Sequence, residues 1–124
     1  MANISWPVVG PESFIEPVRT ALALAINQSL NIRVAVISHI SAYPSVVLPV
    51  RELVDLLHSY GIPVVVDGAH ALGNIPVDIA ALGNPEVWFG NAHKWYLSSK
   101  SSCVMYVRHD MQVVRELYGN YLFR

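Results

Sequence analysis

The sequence predicts an α/β fold: a three-layer, open and mostly parallel sheet with flanking helices. Three observations carry that expectation. Stretches with helical spacing alternate with short apolar runs along the chain. One run, Ile62–Val66, is apolar at every position, as in a parallel strand covered on both sides. Polar, reactive residues follow the runs, and open sheets of this kind gather ligands beyond the carboxyl ends of their strands.

The first helix is expected from about Glu16 to Leu30, because Val18, Leu22 and Ile26 recur four apart on one face. Pro17 suits its first turn, where a missing N–H costs little. Arg33–Ile37 is a short β-branched run and reads as a buried strand. Pro49 opens a second helix. Val50, Leu53, Val54 and Leu57 line its apolar face, and Gly61 stands where a left-handed residue ends a helix. Ile62–Val66 is the second strand, and Glu86–Gly90 and Ser102–Val107 are two more candidates. A last helix is expected over Met111–Tyr118, before a tail without clear pattern. No repeat, low-complexity segment or Gly/Ser linker divides the chain, and its 124 residues suffice for one small domain.

Composition narrows the function classes. Residues of the AVILMFWYC set make up 53% and charged residues only 14%, against roughly 25% charged in a typical soluble domain. A small domain has proportionally more surface to cover, so this chain reads as the interior of something larger, or as a subunit with much surface in an interface. A formal net charge of -1 without a basic run argues against a nucleic-acid partner and against an anionic membrane surface. No apolar stretch approaches the ~20 residues of a membrane span. The single cysteine, Cys103, rules out an internal disulfide and a cysteine zinc cluster, and its place in an apolar strand reads as a buried thiol. The start carries no signal-peptide pattern, so a cytoplasmic location is expected.

Ser38 and His39 follow the first strand, Asp67 to His70 the second, and Asn91, Ala92, His93 and Lys94 the third. Each has a plain reading on its own. An Asp after a strand caps the next turn, a loop lysine is solvated, His58 lies on the polar side of a helix, and His109 belongs to a loop. The pair Asp67 and Lys94 is different, because both stand behind buried strands, 27 residues apart across one helix-sized connection. A metal site from His39, His70 and His93 finds no supporting ligand beyond Asp67, and no metal is expected. The lack of a glycine-rich phosphate cradle counts against a small nucleotide-binding domain.

The stretch Ser38–Lys94, with VDGAHALG at 66–73 and HKW at 93–95, closely resembles the class V aminotransferases. These are fold-type I pyridoxal-phosphate enzymes, and the resemblance is nearest to their isopenicillin-N-epimerase-like branch. It covers most of the chain, from Trp6 to Arg108. It implies that residues 1–124 are the central part of the large, cofactor-binding domain, without the upstream phosphate-loop region and the C-terminal small domain. It implies pyridoxal 5'-phosphate as cofactor, an amino acid as substrate, and a homodimer with cofactor sites at the interface. Lys94 would form the Schiff base and move the α-proton, and Asp67 would keep the pyridinium nitrogen protonated. His70 would lie near the phenolic oxygen, Asn91 and His93 near the phosphate, and His39 at the edge of the site. Transamination, racemisation or epimerisation, elimination and desulfuration all remain open. So does a second reading, an inactive remnant or interaction module that keeps the motif. Three positions depart from the family pattern: Ala42 where a Ser or Asn is usual, Pro44-Ser45 for a Thr-Gly turn, and Ser99-Lys100-Ser101 for Pro-Lys-Gly.

Overall fold

The computed structural model describes Ile4 and residues 7–111. The expected helix over Met111–Tyr118 and the tail after it lie outside the described residues, Met111 excepted. The elements run α1 (Glu12–Asn27), β1 (Ala35–Ser38), α2 (Val50–Ser59), β2 (Val64–Asp67), β3 (Val87–Asn91) and β4 (Cys103–Val107). The strands form one sheet in the order β1-β2-β3-β4. The first two pairings are parallel and the last antiparallel. The sheet is thus mostly parallel, as the sequence predicts. No helix among the described residues is long and apolar enough to cross a membrane.

Helix α1 begins at Glu12, ahead of the expected Glu16. Pro11 stands just before it, and Ser13 Oγ accepts the Val9 N–H at 3.0 Å to close the entry. Pro17 therefore sits in the helix interior and not in its first turn, so one backbone bond is forfeited there. Helix α2 follows its sequence signals closely. Pro49 precedes it, Val50, Leu53, Val54 and Leu57 are buried, and Gly61 turns left-handed at φ +67. That turn lets the Ile62 N–H reach Leu57 O at 3.1 Å.

The core gathers Leu22 of α1, Val50, Val54 and Leu57 of α2, Val64 and Val66 of β2, and Trp88 of β3. Both helices therefore cover one face of the sheet. Register places Val36, Val65, Asp67 and Phe89 on the opposite face. That face is only partly covered among the described residues: Val36 is 66% exposed and Val65 and Phe89 are half-buried, while Val87, paired with Val65, is buried. The described residues thus supply two of the three expected layers.

Three burial expectations need correction for the same reason. β1 is an edge strand with Val34 and Val36 exposed, so it is not the buried strand its β-branched run suggests. Burial in β2 alternates, with Val64 and Val66 inside and Val65 half-buried, because only one face is fully covered. Cys103 is exposed, since β4 forms the other edge and its first residues have no layer over them.

At the amino end of β2 and β3 lies an acidic group that the sequence reading passed over. Glu86, 5% exposed, accepts the Val64 N–H at 2.6 Å, lies 3.1 Å from His58 Nε2 and pairs with Arg108 Nη1 at 2.7 Å. Arg108 also grips Asp110 through two bonds of 2.7 and 2.8 Å. His58 is thus a half-buried partner of Glu86 and not the plain surface residue its helical position implies. His109 occupies an exposed turn, as expected.

Candidate active site

The carboxyl ends of β1, β2 and β3 lie side by side, with Ser38 opposite Asp67 and Asp67 opposite Phe89. Two further backbone bonds carry the alignment past the strands. His39 N–H donates to Asp67 O at 2.8 Å, and Gly68 N–H donates to Phe89 O at 2.6 Å. The chain then leaves β2 in a tight turn, in which Ala71 N–H reaches Gly68 O at 2.8 Å. Asp67 Oδ1 accepts the Ala69 N–H at 2.9 Å, the local side-chain bond that favours Asp at such a turn.

This turn lifts His70 toward the exit of β3. There Lys94 Nζ lies 3.4 Å from His70 Nε2, and both residues are half-buried. Within this pair an imidazole nitrogen can accept from the lysine nitrogen. Gly73 makes the approach possible. Its φ is +82, and a Cβ there would stand 2.8 Å from the backbone of Trp95 and Tyr96, next in chain to Lys94.

The other expected residues are less convergent. Asn91 ends β3, half-buried and paired in register with Cys103. His93 is exposed, with Nδ1 3.1 Å from the Ser102 carbonyl, which turns it toward the loop before β4. His39 is buried, and its Nδ1 accepts the Trp88 indole N–H at 3.3 Å. Trp88 is paired with Val66 on the helix-covered face, so the His39 ring lies beneath the sheet while Asp67 faces the open side. Burial lowers the His39 pKa and keeps the ring neutral. The three histidines engage different partners and form no three-ligand group with other donors among the described residues.

These features suit the cofactor implied by the resemblance. Among the described residues the second oxygen of Asp67 has no hydrogen-bond partner, and it is not sealed from solvent. An accessible carboxylate oxygen fits a protonated ring nitrogen. A primary amine whose hydrogen-bond partner among the described residues is an imidazole fits a reactive carbonyl carbon. Sequence reasoning missed Trp88, which lies under the site against Gly68 and Gly90. The available signal was a large residue set between glycines at 68 and 90, just behind the strand ends.

Comparisons with known proteins bear on the family and the fold. The family model "Aminotransferase class-V" matches residues 11–119. A protein of Oryza sativa subsp. japonica whose name places it with the L-cysteine desulfhydrases is 36% identical over 117 residues, covering 93% of this chain and 24% of that protein. The L-cysteine desulfhydrase of Arabidopsis thaliana is 34% identical over 107 residues, 86% of this chain and 23% of its own length. The chain thus spans about a quarter of the curated relatives it matches. A solved SepCysS–SepCysE N-terminal domain complex superposes with a TM-score of 0.76 at 13% identity, over 88% of this chain and 30% of that one. At that identity the likeness speaks for the fold, which is that of the pyridoxal-phosphate-dependent transferases. The epimerase-like branch expected from the motifs is not what the names of these relatives indicate. With the motifs standing at the strand ends and the family model spanning nearly the whole chain, the protein belongs to the class V aminotransferase family, whose cofactor is pyridoxal 5'-phosphate.

Proposed function

We propose that the chain is the central part of the cofactor-binding domain of a pyridoxal-phosphate-dependent carbon–sulfur lyase acting on cysteine or a cysteine-like amino acid. The observation that carries this reading is the approach of Lys94 to His70, beside an Asp67 carboxylate with one oxygen open. The choice of a sulfur amino acid rests on the names of the relatives. When bound, pyridoxal phosphate supplies an electron sink that stabilises negative charge at the amino acid's α-carbon.

The protein's own groups have distinct tasks in this reading. Lys94 Nζ would hold the cofactor through its amine and would be the base nearest the amino acid's α-proton. A lysine does this only when unprotonated, and His70 Nε2, able to accept from Nζ, is placed to take up that proton. Asp67, with Oδ1 bound to the Ala69 N–H, would hold the protonated ring nitrogen with its other oxygen. Asn91 and His93, at the exit of β3, serve the phosphate, and His39 supports the site from below. Trp95, Tyr96 and Leu97, all exposed beside Lys94, offer an apolar rim to a second copy and support a homodimer.

A titration of the purified protein with pyridoxal phosphate, then borohydride reduction and peptide mapping, tests the reading. Saturable binding with the label on Lys94 is expected. Lys94→Ala should lose the label, and Asp67→Ala should weaken binding about 10- to 100-fold, the worth of one charge-assisted hydrogen bond. Sulfide release from L-cysteine tests the substrate. Labelling of Lys94 and Lys100 alike, or no saturable binding, would favour the inactive remnant instead.

A further inference from the structure

Beneath the carboxyl end of the sheet, three strands meet a single side chain. Trp88 of β3 is 3% exposed, and its ring passes under the neighbouring strand ends on the helix-covered face. A Cβ at Gly68 would collide with indole Cζ2 and Cε2 and lie 2.8 Å from Nε1. A Cβ at Gly90 would stand 2.5 Å from Cη2 of the same ring and 3.0 Å from Leu72 Cβ. Neither glycine has a positive φ, so both are required for space and not for backbone conformation. Gly68 follows Asp67, and Gly90 precedes Asn91. From β1, the Trp88 indole N–H donates to His39 Nδ1 at 3.3 Å.

We propose that Trp88 is a positioning residue for this site: one indole holds His39 in its Nε2–H tautomer and seats the two glycines that flank Asp67 and Asn91. The tautomer follows from the inventory of donors. An indole N–H donates and never accepts, so the imidazole nitrogen facing it carries a lone pair. The proton of the neutral ring is then on Nε2. A protonated His39 would set Nδ1–H against the indole N–H, two donors facing each other in a buried place, and burial already disfavours that form. The seating follows from shape. The ring fills the space that side chains at 68 and 90 would need, so the strand ends close onto it and the alignment of Asp67 with Phe89 is held from below.

The proposal rests on the reading of these strand ends as the cofactor site, and its test runs on the cofactor-free protein so that the two can fail separately. Long-range nitrogen–proton NMR of the wild type should show His39 as the Nε2–H form. In Trp88→Phe, which keeps a ring but loses the donor, both tautomers should be populated. Gly68→Ala should lower Tm by about 5 °C or more in the wild-type background, and by little in a Trp88→Leu background, where the colliding atoms are gone. A wild-type Nδ1–H tautomer, an unchanged tautomer in Trp88→Phe, or equal Tm losses in both backgrounds would each overturn it. If Trp88→Leu fails to fold, the wild-type and Trp88→Phe spectra still decide. Failure of the Lys94 label, with these results intact, would sink the cofactor reading alone.

Discussion

His39 and Glu86 both resist protonation in the folded chain, by different routes. Burial alone lowers His39. Burial would raise Glu86, but the Val64 N–H and the neighbouring His58 outweigh it and hold the carboxyl below its ordinary range. In both cases the unfolded chain binds protons at a higher pH than the folded one, so acid favours unfolding. For His39, the stabilisation is whole above the unfolded value near ~6.5 and fades as pH falls through the lowered folded value. For Glu86, the loss comes lower, as pH drops from the ordinary carboxylate range through its depressed value. Urea midpoints measured from pH 8 to pH 3 should therefore fall in two stages, and Glu86→Gln should shrink the lower stage, to which Asp110 beside Arg108 also contributes, while leaving the upper one. At this scale the sequence was partly legible. Asp67, His70 and Lys94 could be singled out because they follow strands. Glu86 could not, because a lone Glu before a strand carries no sign of Arg108, which meets it from just past β4.

Elements were legible where a local rule decides and obscure where a distant partner does. α2 has a proline at its start, an apolar stripe and a glycine stop, and the structure keeps all three. Its stripe is the centre of the core: Leu53 is 2% exposed and Val54 fully buried. Leu53→Ala should cost about 2–5 kcal/mol, the loss of buried methyl groups plus the cavity they leave. Chemical denaturation with an unchanged m-value would check it, and a cost within ±0.5 kcal/mol, typical of surface sites, would contradict that placement. α1 starts ahead of its apolar spacing because Pro11, and not Pro17, stands at its opening. The direction of β4 had no local signature. Its antiparallel run depends on the loop from Asn91 to Cys103 folding back, with Ala92 N–H reaching Ser102 O at 3.0 Å.

As a whole molecule, the chain is apolar beyond its size because one face of its sheet is only partly covered among the described residues. The 14% charged composition anticipated surface meant for burial, though not which surface. The convergence of Lys94 and His70 was legible from topology alone, since both stand beyond the carboxyl ends of neighbouring strands. The separation of His39 from Asp67 was not. It depends on which face each side chain takes, and a shift of one residue in register would exchange the faces.

The Glu86 cluster at the opposite end of the sheet carries a further consequence. Strand ends normally fray, and their amides trade hydrogen with solvent early. Here the first amide of β2, at Val64, is bound to a buried carboxylate that is itself held by His58 and Arg108. Its exchange should then require the loss of a contact joining α2, β2 and the residue that follows β4, and so should track global unfolding instead of local fraying. In a native-state exchange experiment Val64 should be among the slowest amides. Glu86→Gln should speed it far more than it speeds Val66, in the middle of the same strand.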